Sequence, residues 1–327
     1  MYKVLALFLY FCGEIFIGMT ITELQQLYAA HPNMAVMKRL LKDTSVQTIF
    51  CGGLYASAAS LFSSILVQEG GCPFVFILGD LEEAGYFYHD LTQVLGTETV
   101  LFRRSIKYGQ KDAANEILRT EVLSRLQKGE KGLCIVTYPD ALAEKVVSRK
   151  ELSDKTLKLN VGEKVDTTFI TDVLHSYGFE YVDYVYEPGQ YAVRGSIIDV
   201  FSFASEYPYR IDFFGDEVES IRTFEVESQL SREKKEGVSI VPDLAVTGDV
   251  TTSFLDFIPK ETTLAMRDFL WLRERIQVVH DEALTPQAIA VQEVEENGGI
   301  TLEGKLIDGS EFTVRALDFR RLEFGNK

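Results

Sequence analysis

Four short apolar runs, each set apart from the next by a helix-length segment, constrain this chain most. They are TIFC (48–51), FVFIL (74–78), TVLF (99–102) and LCIVT (133–137). Strands with no polar alternation are buried on both faces, which requires helices above and below the sheet. The intervening segments supply them. Residues 55–68 carry Leu61, Ile65 and Leu66 at helical spacing, and AANEILRTEVLSRLQK repeats Ala114, Ile117, Leu118, Val122 and Leu126. Asp80 stands where a side chain caps the helix after the second strand. A further helix with Leu24, Leu27 and Tyr28 precedes the first strand. The expectation for this part is a parallel α/β layer.

Near residue 150 the pattern changes. KELSDKTLKLNVGEK is polar and reads as a boundary, followed by a short helix with Phe169, Ile170, Val173 and Leu174 inward and Gly178 as its stop. Closely spaced strands follow: YVDYVY, QYAVRG, SIIDVFSF, YRIDFF and EVESIRTFEV. Turns fall at Glu187-Pro188-Gly189, Glu206-Tyr207-Pro208 and Gly215-Asp216. This predicts a small antiparallel α+β domain over 149–235. The α/β pattern returns in 236–327, with a strand at TLAM (263–266), a helix at DFLWLRERIQVV and a hairpin signalled by Asp308-Gly309. The α/β pattern thus occupies residues 19–148 and 236–327, on either side of the small domain. Residues 1–18 imitate a signal peptide, with Lys3 before VLALFLYFC. Glu14 interrupts the run, no small-residue cleavage site follows, and the run is too short to span a bilayer. Met19, followed by Thr20, Thr22 and Glu23, reads as the natural start, and 1–18 as an upstream extension.

The 327 residues carry a net charge of −16. A surface this acidic repels phosphate backbones, so protein partners are expected rather than unaided nucleic acid. Cys12, Cys51, Cys72 and Cys134 form no Cys-x-x-Cys pair, and His31, His89, His175 and His280 are scattered, so neither a zinc site nor a cofactor is expected. Cysteines of this kind suit a reducing cytoplasm. There is no G-x-S-x-G elbow and no pair of carboxylates in an apolar setting. ERIQ, RRLE and the Arg103-Arg104/Lys107 cluster read as solvated surface.

The richest stretch is EPGQYAVRGSIIDVFSFASEYPYRIDFFGDEVESIRTFEVESQLSR (187–232). In YRIDFFGDE, alternation puts Ile211 and Phe213 on one face and Arg210, Asp212 and Phe214 on the other. The first pair is the natural core. The second places an aromatic beside an arginine and a carboxylate, which is either a solvated face with one tolerated Phe or an interface. Arg194 lies on a neighbouring strand. This stretch resembles the small second domain shared by the excision-repair protein UvrB and the bacterial transcription-repair coupling factors. Both carry an R-G-x-hydrophobic-D/E-hydrophobic-F stretch and then F-F-G-D-E, and the ES-Q-S ending is closer to the coupling factors. The resemblance implies a split parallel α/β domain of degenerate P-loop type with the small α+β domain inserted. It implies UvrA as partner, with Arg194, Arg210 and Phe214 at the positions that hold it. RNA polymerase and duplex DNA would be engaged only by further domains absent from this chain, and no membrane is involved. On the alternation alone, truncating those three residues is expected to spare the fold.

The same resemblance draws attention to a loss. UvrB has a phosphate-binding loop after its first strand, in which a lysine neutralises the phosphates and a Ser/Thr holds magnesium. Here the first strand runs into Gly52-Gly53-Leu54-Tyr55-Ala56-Ser57, with Ala56 at the lysine position. The second ATPase motif, an apolar strand ending in Asp-Glu, is represented by TLAM and Asp268-Phe269. An ATPase is not expected. UvrB's DNA-clamping aromatic hairpin has no counterpart after Ser60. The alternative is an ATP-dependent UvrB-type helicase subunit, which a lysine in the 52–57 loop would favour.

Overall fold

The computed structural model describes residues 20–54, 57–70, 72–95, 99–107, 110–130, 132–244, 250–293 and 302–325. The extension over 1–18, Met19 and Ala56 lie outside them. Two sheets dominate, one parallel and one antiparallel.

The chain enters through helices α1 (Ile21–Ala29) and α2 (Pro32–Lys42). Thr20 caps α1: its hydroxyl accepts from the Glu23 amide while the Glu23 carboxylate accepts from the Thr20 amide, so two of the helix's free amides are satisfied. Strand β1 (Thr48–Gly52), α3 (Ser57–Gly70), β2 (Phe74–Ile77), α4 (Leu81–Leu95) and β3 (Thr99–Leu101) follow. A two-residue ladder, β4 (Ile106–Lys107) with β5 (Gln110–Lys111), leads to α5 (Ala113–Gln127), β6 (Cys134–Thr137) and α6 (Pro139–Ala143). Beyond β7 (Val146–Val147) and α7 (Arg149–Asp154) the chain leaves this layer.

Next comes the inserted unit: β8 (Leu157–Asn160), α8 (Thr167–Ser176), β9 (Glu180–Tyr181), β10 (Gln190–Arg194), β11 (Ile197–Val200), β12 (Tyr209–Phe214), β13 (Glu217–Phe224), β14 (Ser231–Lys235) and β15 (Gly237–Ile240). The chain returns through β16 (Val250–Thr252), which pairs with β7, and α9 (Phe254–Phe257). It ends with β17 (Thr263–Met266), α10 (Phe269–Ala283), α11 (Pro286–Glu293), α12 (Gly309–Ala316) and β18 (Arg320–Gly325).

The large sheet has the order β1-β18-β17-β2-β6-β3, every pair parallel. Strands from the end of the chain therefore sit between β1 and β2. Three of these strands are buried as their composition requires, since β2, β6 and β17 have no exposed residue. The expectation of a buried strand is corrected for TIFC: β1 is an edge strand, and there Thr48 and Phe50 are exposed while Ile49 is buried. Phe74, Phe76, Phe102, Phe254, Phe257, Phe312 and Phe319 fill the core, with Phe102 stacked on Phe254 at 4.0 Å between centroids. Helix α7 joins this core through Leu152.

Two helix expectations change. Helix α5 buries Val122 and Leu126 as expected but turns a polar side inward in its first half: Glu116, Arg119 and Thr120 are buried with Leu123, whereas Ala114 is exposed and Ile117 and Leu118 are half-buried. Arg119 makes this possible by donating to four carbonyls, those of Arg103, Ala141, Glu144 and Lys145, at 2.6–3.2 Å. Its Nε lies 3.6 Å from the Glu144 carboxylate. The Asp308-Gly309 hairpin is absent, because Asp308 is the N-cap of α12, its carboxylate accepting from the Glu311 amide at 2.7 Å. A short polar side chain before an apolar periodic run satisfies helix amides as readily as it turns a hairpin.

The second sheet has the order β14-β13-β12-β11-β10-β9, antiparallel except where β9 pairs with β10. One face holds Ile198, Val200, Ile211, Phe213, Val218 and Ile221 against Ile170 and Leu174 of α8 and against the β8–β15 ladder. That ladder places 237–240 with the inserted unit, past the expected boundary at 235. On α8, Ile170 and Leu174 are buried at i, i+4 but Phe169 is 53% exposed. It sits one residue off the stripe, about 100° around the helix.

Candidate docking face and the nucleotide-like loop

The other face of the antiparallel sheet is built around a buried carboxylate. Register aligns Ala192, Asp199, Arg210 and Arg222 in one row across β10 to β13, and Arg194, Ile197, Asp212 and Ser220 in the next. Asp199 is wholly buried. An isolated charge there would be costly, and it is answered twice. Arg210 binds it with a two-pronged grip, Nε to Oδ1 at 2.8 Å and Nη2 to Oδ2 at 2.9 Å. Arg194 reaches the same Oδ2 from the end of β10. The hydrogen bonds from Arg210 to Asp199 hold the guanidinium above its usual, already high, pKa against the opposing effect of burial.

Two loops clamp the inner part of this face. Val185, Ala192, Phe201 and Phe224 form a small second core, and Val182 and Val226 pack against it. Arg210 lies over the Phe224 ring at 4.5 Å and donates to the Gln229 carbonyl at 3.2 Å. Gln229 has φ +58°, the only non-glycine residue with positive φ among the described residues. Its side-chain amide donates to the Val226 carbonyl at 2.7 Å and reaches that of Val185 at 3.5 Å. A residue in this backbone region costs about 1 kcal/mol or more and persists where its surroundings hold it.

The outer part of the face is open. Phe214 is 79% exposed, at the last position of β12, opposite Glu217 and before Gly215, whose φ of +61° suits the tight turn. A bulge between Asp212 and Phe213 shifts the β12–β13 register, and beyond it Phe213 still points into the core while Phe214 points out. Asp212 accepts from the Ser196 hydroxyl at 3.1 Å and lies 3.5 Å from Arg222. Thus Arg194, Arg210 and Phe214 do share one face, as the alternation predicts, but they differ in kind. Phe214 is free, Arg194 is held at one end, and the side chain of Arg210 is only 16% exposed and fixed on three sides. The expectation that all three can be altered without cost to the fold is corrected for Arg210, because its removal takes away the two-pronged grip on the buried Asp199 and leaves Arg194 as its remaining cation. The buried Asp199 and the clamp residue Gln229 were missed in the sequence. Asp199 sits at an in-between position of an apolar strand, and that polar residue in SIIDVF was the available signal.

Part of the loop after β1 lies among the described residues, and Tyr55 and Ala56 lie outside them. Gly52 ends the strand, Gly53 has φ +85°, and Ser57 opens α3. Asp268, just beyond the end of the TLAM strand, has a structural role. It is the N-cap of α10, its carboxylate accepting from the Trp271 amide at 2.7 Å. It lines a cavity of about 350 Å³ at the C-terminal ends of β2 and β17, together with Gly79, Glu83, Arg267 and Trp271. There Glu83 accepts from the Gly79 amide at 2.7 Å and pairs with Arg267. Among the described residues no group of three or more His, Cys, Asp or Glu is placed to hold a metal ion, and no helix is long and apolar enough to cross a membrane.

An antiparallel sheet with an open Arg/Phe edge accompanies a parallel α/β layer, and residues 157–245 match the family described as UvrB interaction domain. The particular proteins the chain is similar to are transcription-repair-coupling factors. It is 30% identical over 193 residues to that of Escherichia coli (strain K12), covering 57% of this chain and 16% of the relative. It is 33% identical over 196 residues to that of Bacillus subtilis (strain 168), covering 58% and 16%. The factor of Haemophilus influenzae is 27% identical over 195 residues, covering 58% and 17%. The chain thus matches about a sixth of the length of these relatives.

Proposed function

We propose that this chain is the docking module of a transcription-repair coupling factor and that it recruits the excision-repair protein UvrA through Arg194, Arg210 and Phe214. The observation that carries this reading is the 79% exposure of Phe214 beside arginines organised by a wholly buried aspartate. Exposing a large aromatic is unfavourable in water, and a cation fixed in advance loses little freedom when it binds. Interfaces concentrate their energy in such Arg and aromatic anchors. RNA polymerase and duplex DNA would be partners of the full-length protein, and the cytoplasm its compartment.

The module is proposed to work without nucleotide chemistry. Asp268 is spent on capping a helix, and Ala56 stands in the sequence where a phosphate-neutralising lysine is needed. Titration of the chain with ATP and magnesium should give no heat of binding at micromolar nucleotide, and micromolar affinity would defeat the reading.

The deciding experiment is capture of purified UvrA by the immobilised chain. Wild type should retain UvrA. Phe214→Ala should weaken capture by about 2 kcal/mol or more, as for a central anchor, with an unchanged melting temperature. Equal capture by wild type and variant, or none by wild type, removes the proposal.

A further inference from the structure

We infer that the docking face extends to Tyr184, and that Tyr184 and Arg194 act as one unit in gripping the partner; this rests on the UvrA-docking reading above. Tyr184 belongs to the loop that clamps the inner face, and its neighbour Val185 is fully buried in the small second core. The loop backbone at this point is therefore anchored, yet the Tyr184 ring is 52% exposed. The guanidinium of Arg194 lies over that ring at 4.9 Å, while its other side is pulled down by the buried Asp199 carboxylate. A cation held between an aromatic face and a buried carboxylate has few rotamers left to lose, and 35% of its side chain still faces solvent.

The pair continues the surface already described, since Arg194 occupies the row of Asp212 next to the open end of β12 where Phe214 stands. Three arginines meet two aspartates on this face in a chain of net charge −16. The matching partner surface would present a carboxylate to the free N–H groups of Arg194 and an apolar side chain to the exposed flank of the Tyr184 ring. An aromatic ring beside a cation is the combination that gains most from being buried together.

The test measures the affinity of the full chain for purified UvrA, with melting temperature recorded for each variant. Tyr184→Ala should weaken binding about tenfold or more, as loss of an anchor does, and Tyr184→Phe, which keeps the ring, should bind as wild type. Tyr184→Glu should lose binding even more, because the new carboxylate neutralises Arg194, and being half-exposed it should fold even if the alanine variant does not. The double variant Tyr184→Ala/Arg194→Ala should lose clearly less than the product of the two single losses, a shared effect that a merely structural tyrosine would not show. If Phe214→Ala loses binding while Tyr184→Ala and Tyr184→Glu retain it, or if the two losses multiply, this inference is overturned and the docking reading stands. If wild type fails to bind UvrA, the docking reading itself falls and carries this one with it.

Discussion

Asp199 decides which residues of the docking face can be altered. Its carboxylate is wholly buried and held by two arginines. An unpaired buried charge costs about 3–5 kcal/mol, and removing Arg210 incurs part of that cost because only Arg194 then remains on the carboxylate. Arg210→Glu, which adds a second negative charge beside Asp199, should therefore lower the melting temperature sharply, as thermal denaturation can check. Phe214→Ala should leave it within the scatter of surface changes, about 0.5 kcal/mol. Phe213→Ala, one residue away but 3% exposed, should cost about 3–5 kcal/mol through the cavity it leaves. Loss of UvrA capture by an Arg210 variant is informative only beside that melting curve. Titration gives a second residue-scale expectation. Burial pushes the Tyr138 phenol above its usual pKa, against a partly offsetting hydrogen bond from the Arg104 amide. The folded state then holds this proton more tightly than the unfolded chain does. Its contribution is complete below about pH 10 and is lost as the pH rises through the raised value. The melting temperature should fall above about pH 10, and Tyr138→Phe should flatten that fall.

At the scale of elements, local chemistry was legible where one rule acted alone. The apolar runs of β2, β3 and β6 became buried strands, whereas TIFC became a partly exposed edge strand, a placement that depends on the sheet order. YRIDFF kept its alternation through a bulge because both Ile211 and Phe213 reach the same core. Reading failed where two rules competed for the same residues. Asp308-Gly309 satisfies both a turn and a helix start, and the apolar positions Phe312 and Ala316, at i, i+4, decide for the helix by burying themselves. Helix α5 buries Glu116 and Arg119, a choice no apolar stripe reveals, because the carbonyls that satisfy Arg119 come from 103 and 141–145. The exposed position of Phe214 and the inward one of Phe213 were legible on one strand, and the carboxylate beneath the proposed docking residues was not, since it is a cross-strand neighbour. Asp268 illustrates an element-scale role directly. Substituting an N-cap by alanine costs about 1 kcal/mol, so Asp268→Ala should lower stability by that amount and Asp268→Asn by much less, measured by urea denaturation.

At the scale of the molecule, charge and topology act together. Net −16 is spread over the whole chain, whereas the arginines of interest cluster on one sheet face. Binding to duplex DNA at physiological salt should be negligible, since neutralising phosphates requires many surface cations; a mobility shift at sub-micromolar protein would contradict this. The order β1-β18-β17-β2 has a further consequence for how the protein is made on the ribosome. When residue 245 has been synthesised, every strand of the antiparallel sheet exists, but β17 and β18, two inner strands of the parallel sheet, do not. The proposed docking face can thus mature during translation, ahead of the parallel layer. Until residues 263–325 emerge, β1 and β2 wait with a two-strand gap between them. Ribosome-bound chains halted shortly after residue 245 has cleared the exit tunnel should already resist proteolysis across 157–240 while remaining sensitive within 20–137, and only completion of β18 should close the second window.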